Sequence, residues 1–315
     1  MVMRRWFLSL PVLASMLVPN SSWAAEELPV EELAVQTRVH RLVQAMEFGF
    51  GSLWTMTGCD GAILVRIEAT TNDFTEVRID GITAAQALAI DETSVWISDQ
   101  KKGAIFEIDP NTYSPVKTIR APTMSTQGNM AVGEGAVWVL TADEFGDALV
   151  RFNARTGIAE AKIALPSGIS NVVVSDGSVW VSGPARHELY RIDPRTNSIA
   201  STVELHDAPS FVASGEGFVW VFNQSDSSVD KIDARTGEIL ANIKTGLPPG
   251  SASIATGGGY VWVSMRDAPV TQINPRTNAL IRRFIGGHGM GGQVRYGAGS
   301  LWLAGGRISR LQAPN

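Results

Sequence analysis

The chain has 315 residues, 44% of them hydrophobic and 18% charged, with a formal net charge of −5 at pH 7. This balance provides apolar material for a sizeable core and excludes a highly charged disordered chain, and the acidic sign argues against nucleic acid or an anionic membrane as partner. Cys59 is the single cysteine, so an internal disulfide is excluded; in the loop Thr57-Gly58-Cys59-Asp60-Gly61 it reads first as a buried or tolerated thiol, and its loop position leaves a reactive or ligand-binding thiol open.

Residues 1–24 have the pattern of an export signal: Arg4 and Arg5, an apolar run from Trp6 to Val18, and Ser22-Trp23-Ala24 as a small-x-small cleavage site. The run is shorter than the roughly 20 residues that a membrane span needs. Arg4-Arg5-Trp6-Phe7-Leu8 is also similar to the twin-arginine export motif, which leaves two export routes open. Cleavage would remove two arginines and no acid, moving the net charge from −5 to −7. No long apolar run follows, so the expected product is periplasmic or secreted, without a membrane span. Residues 25–32, AEELPVEE, read as a mobile leader. Residues 33–39 have the composition of a strand and match segments such as Ile239 to Ile243.

From there the chain repeats. Tryptophans at 54, 96, 138, 180, 220, 262 and 302 are spaced by 42, 42, 42, 40, 42 and 40 residues. Each sits in a short alternating segment such as Ser178-Val-Trp-Val181 or Tyr260-Val-Trp-Val263. Each copy reads as four strands, with turns such as Asp176-Gly177 and Asp193-Pro-Arg-Thr196 between them. A meander of this size cannot bury both faces alone, so copies must stack. A period of about 40 residues built of strands and turns predicts an all-β, seven-bladed β-propeller of four-stranded antiparallel blades. The last copy has room for three strands only, and residues 33–39 are expected to supply the fourth and close the ring. No linker interrupts the repeat, so residues 33–315 are expected to be a single domain.

The recurrent turns Asp109-Pro-Asn-Thr112, Asn153-Ala-Arg-Thr156, Asp193-Pro-Arg-Thr196, Asp233-Ala-Arg-Thr236 and Asn274-Pro-Arg-Thr277 carry turn chemistry rather than ligands. Together with the repeated (G/S)-x-V-W-V they give the chain its resemblance: over about residues 41–315 it is similar to the bacterial YVTN-type propellers and to the streptogramin-lyase-like propellers. That resemblance implies a fold, whose loops host unrelated activities.

In this strand order the interblade loops and the loops between second and third strands share one face, and the Asx turns lie on the other. Residues nine and ten before each tryptophan then enter the channel from the first face. Among them Gln44, Gln86, Asn129, Asn171 and Gln293 supply amides, Ser170, Ser210 and Ser253 hydroxyls, and none is charged. Such a ring suits a neutral or weakly polar ligand. Further out lie Asp99, Arg266 and Arg307, with His288 in the glycine-rich loop Gly286 to Gly292.

Streptogramin-lyase-like enzymes use a histidine as acid or base beside carboxylates that hold magnesium. The matching residues here reduce to His288 and Asp99, and two carboxylates near His288 do not follow from spacing. Lactone-hydrolysing propellers centre a calcium ion, for which Asn129, Asn171 and Gln293 could give amides but no axial carboxylate stands out. No cofactor is evident; Mg or Ca enters only with these enzymatic alternatives. The leading expectation is a monomeric binding scaffold for a small molecule or an envelope protein; a metal-dependent lyase or lactone hydrolase on the same face is the alternative.

Overall fold

A computed structural model describes residues 25–33, 35–39, 43–57, 63–121, 129–250, 252–265, 268–287 and 291–314. The export-signal expectation for residues 1–24 falls outside them, as do Cys59, Arg266 and His288.

Each copy folds as the alternation dictates, with the strands running in chain order from the channel outward. Blade four is typical: Asn171–Ser175 is innermost, followed by Ser178–Gly183, Glu188–Asp193 and Ser198–Glu204 at the rim. Seven such antiparallel sheets form the molecule, and the described residues contain no α-helix. In the seventh blade the inner three strands are Gln293–Gly297, Ser300–Ala304 and Ile308–Gln312. The outer one is Val35–Val39, paired antiparallel with Ile308–Gln312. The N-terminal strand therefore closes the ring, as the short last repeat requires.

The leader expectation for residues 25–32 needs correction. Glu26–Pro29 is a strand that adds in parallel to Leu280–Ile285 at the rim of blade six. Two ion pairs flank it, Arg282 with Glu26 at 3.3 Å and Arg283 with Glu27 at 2.8 Å. A 3-10 turn, Val30–Glu32, then crosses towards blade seven, and Val30 and Leu33 are buried in the core shared by blades six and seven.

The core is distributed as seven clusters, one between each pair of neighbouring blades, the last joining blade seven to blade one. The seven repeated tryptophans are all fully buried, each packed against the following blade. An indole removes about 150–250 Å² from water, so each contributes roughly 4–6 kcal/mol as an upper bound.

Two further devices repeat. Five residues before the tryptophan stands a glycine in five blades, and its carbonyl accepts the indole N–H, as in Trp54 to Gly49 at 3.0 Å and Trp262 to Gly257 at 2.9 Å. A Cβ there would strike the next blade: Ile90 at 2.6 Å from Gly49, Val174 at 2.7 Å from Gly133, Phe48 at 2.2 Å from Gly297. Close blade packing therefore excludes a side chain. A cation also covers most of the indoles, and four of these, Lys117, Arg151, Lys231 and Arg310, reach across to the next blade. Lys231 lies 5.7 Å from the Trp220 ring and donates to the Pro275 carbonyl at 2.7 Å. Arg310 lies 5.0 Å from Trp302 and donates to Ala69 and Asn72 of blade one.

Candidate functional site

The seven innermost strands enclose a channel of about 590 Å³. Its two mouths differ, as the strand order requires. On one face the Asx side chains fold their own turns, with Asp193 accepting from Arg195 N at 2.8 Å and Asn274 from Arg276 N at 2.8 Å. The other face carries the interblade loops and the loops between second and third strands, and the expected site residues belong to it.

The structure divides those residues. Asn171 lines the channel half-buried. Gln86 is half-buried at the same mouth, its Nε2 donating to Gln100 Oε1 at 3.4 Å. Arg307 is half-buried in the loop between the second and third strands of blade seven. Asn129 is fully buried and accepts Ser98 Oγ at 3.1 Å, tying blade three to blade two. Gln293 lines the channel but is occupied at both ends: Oε1 accepts Met46 N at 3.1 Å and Nε2 donates to the Gln44 carbonyl at 2.9 Å. Gln44 thus takes part through its backbone in the seam between blades seven and one.

Asp99, the candidate acid, has a structural task. It is fully buried, and its carboxylate accepts Thr83 N at 2.5 Å, Thr83 Oγ1 at 3.1 Å, Ala84 N at 3.2 Å and Lys102 N at 3.0 Å. It clamps the loop that enters blade two to the loop after its second strand. Burial alone would push its carboxyl up, but the N–H donors of Thr83, Lys102 and Ala84 with the Thr83 hydroxyl outweigh that and hold it below its ordinary value.

Two features escaped the sequence reading. The entrance ring was expected to be uncharged, and deeper in the wall Glu47 and Arg295 both line the channel, joined at 2.9 Å between Arg295 Nε and Glu47 Oε2. Both stand seven residues before their tryptophan, two beyond the amide and hydroxyl ring at the entrance. The equivalent residues of the other blades are Ala89, Ala131, Val173, Ala213 and Ala255, all lining the channel. The second is a polar cluster in blade five. Asp230 is fully buried and accepts Asn223 Nδ2 and Asn242 Nδ2, each at 2.7 Å, with His206 Nδ1 4.0 Å away. Only a three-dimensional register brings these four residues together.

For a hard cation, which takes several oxygen ligands, the described residues offer no suitable set. The Glu47 carboxylate is turned to Arg295 and that of Asp99 to N–H donors, and no group of three His, Cys, Asp or Glu side chains gathers among the described residues.

Seven closed blades around a channel with one variable mouth define the class: this is a seven-bladed β-propeller. A solved streptogramin B lyase superposes with a TM-score of 0.73 at 16% identity, covering 87% of this chain and 93% of its own. The virginiamycin B lyase of Staphylococcus aureus gives the same TM-score and identity over 90% of this chain and all of its own. The WD40 propeller domain of Doa1 gives 0.71 at 9% identity over 90% and 98%. No protein-family model and no curated protein sequence matches the chain. At these identities the likeness is one of fold.

Proposed function

We propose that the protein is an exported binding scaffold, periplasmic or secreted, that takes a small molecule or an envelope protein through the face carrying the interblade loops. The carrying observation is the channel of about 590 Å³, within the usual range of ligand pockets, whose wall is built from the innermost strands of all seven blades and includes Asn171. Repeated indoles and glycines fix the wall, and the loops differ from blade to blade, which is the division of labour expected of a scaffold. A photo-crosslinking residue placed at position 86, 171 or 307 should capture the partner in envelope extracts, whereas one at 155 or 235, on the Asx-turn face, should not. Capture from 155 or 235 alone would overturn the assignment of the face.

The enzymatic alternative, a metal-dependent lyase or lactone hydrolase on the same face, draws its support from the fold likeness to the virginiamycin B lyase. A similar catalytically inactive lyase from Staphylococcus aureus was solved with quinupristin. Stoichiometric metal in the purified protein, with EDTA-sensitive turnover lost in His288→Ala, would move the reading to that class.

A further inference from the structure

The channel wall carries a chemical bias of its own. Of the seven equivalent positions that hold Glu47 and Arg295, the other five are Ala89, Ala131, Val173, Ala213 and Ala255, so one ion pair stands in an otherwise small and apolar girdle. Its valences are only partly used. Arg295 donates Nε to Glu47 Oε2 at 2.9 Å and Nη1 to the Val294 carbonyl at 2.8 Å, and Glu47 Oε1 accepts Phe48 N at 3.2 Å. A guanidinium has five N–H donors and a carboxylate about four acceptor sites, so Nη2 and the outer lone pairs of Glu47 remain for a guest. Both side chains keep about a third of their surface open, 28% and 32%.

The pair as a whole is neutral. A guest anion drawn to Arg295 would meet Glu47 within a few ångströms, and a guest cation drawn to Glu47 would meet Arg295, in surroundings where both repulsions are stronger than in water. A neutral group that offers an acceptor and a donor on the same edge satisfies both partners. A trans secondary amide points C=O and N–H in opposite directions and cannot; a primary amide, a urea or a lactam can. On the reading that this channel is the binding place, we propose that its guest is an uncharged molecule with a primary-amide, urea or lactam edge. The carbonyl accepts from Arg295, the N–H donates to Glu47, and the hydrocarbon lies against the alanine girdle.

The probe is 2-piperidone, a lactam, with butyrate and butylammonium as charged comparators. The readout is the alanine methyl NMR spectrum of the intact protein. The lactam should shift the methyls of Ala89, Ala131, Ala213 and Ala255 with a dissociation constant on the order of millimolar, as befits a fragment of this size, and the ions should not. Glu47→Gln and Arg295→Gln should each weaken the lactam at least about tenfold. They should also change the preference in opposite directions, Glu47→Gln admitting butyrate and Arg295→Gln butylammonium, which a pair serving only to close the ring would not do. Ala131→Leu keeps the pair and narrows the channel, so it should abolish the lactam shifts even if the charge variants fail to fold. Wild-type preference for either ion, absence of lactam shifts, or lactam binding unchanged in all three variants overturns the assignment. Crosslinking from the loop face without lactam binding would refute this guest while leaving the scaffold reading in place.

Discussion

Asp99 shows how a side chain of catalytic type can be wholly occupied by architecture. Removing it in Asp99→Ala leaves the N–H groups of Thr83, Ala84 and Lys102 without their acceptor, three from one buried site. The expected cost is about 3 kcal/mol. Its carboxyl titrates below the ordinary 3.8 when folded. The stabilisation is therefore present in full above that value and is lost as the pH falls through the folded value. Urea unfolding of wild type and Asp99→Ala should show a wide gap at pH 7 that begins to narrow only as the pH falls below 3.8; a gap constant with pH would rule out ionisation as its source. Gly297 poses a steric question of the same scale. A Cβ would sit 2.2 Å from the Phe48 ring, so Gly297→Ala should lose about 2–3 kcal/mol by the same unfolding measurement. Residue identity alone carried part of this. The Asx turns are legible because their hydrogen bonds are local, whereas Asp99 meets Ala84 15 positions away, and Gln293 and Glu47 meet Gln44 and Arg295 about 250 positions away.

At the scale of the element, periodicity announced the strands and the short last repeat announced the closing one. Val35–Val39 was readable because its apolar and polar residues alternate like every other outer strand. Glu26–Pro29 was not, since EELP has no such alternation and its pairing strand, Leu280–Ile285, lies more than 250 positions ahead. Its two ion pairs are half-exposed and contribute little; the apolar anchors just after it do more. Leu33 is 5% exposed in the core between blades six and seven, and Leu33→Ala should cost about 2–4 kcal/mol. Deleting residues 26–39 should lower the melting temperature much further, because it also unpairs the edge of Ile308–Gln312. Equal losses from the single substitution and the deletion, in parallel thermal scans, would show that the strand pairing adds nothing.

For the whole molecule the question is where a closed ring opens. Six junctions join blades that are continuous in sequence; the seventh, between blades seven and one, must be held by side chains and by the strand Val35–Val39. The structure concentrates long-range links there: Gln293 to Met46 and Gln44, Arg295 to Glu47, and Arg310 to Ala69 and Asn72. Arg310 is the most informative of these. It is 8% exposed, its Nε is fixed by Ser300 Oγ at 3.0 Å, and its Nη1 reaches the Ala69 carbonyl at 2.5 Å and Asn72 Oδ1 at 2.7 Å. Arg310→Met keeps most of the hydrocarbon against Trp302 and removes the bonds across the seam, leaving a buried carbonyl unmatched. A loss of about 2 kcal/mol would lower the melting temperature of a chain this size by roughly 3 °C. The distribution of the loss is the sharper test. Stacked repeats couple chiefly to their neighbours, so hydrogen exchange in Arg310→Met should quicken first in blades one and seven, while the strands of blades three to five keep their protection. Uniform quickening round the ring would mean that the blades unfold as a single unit and that the seam has no special status.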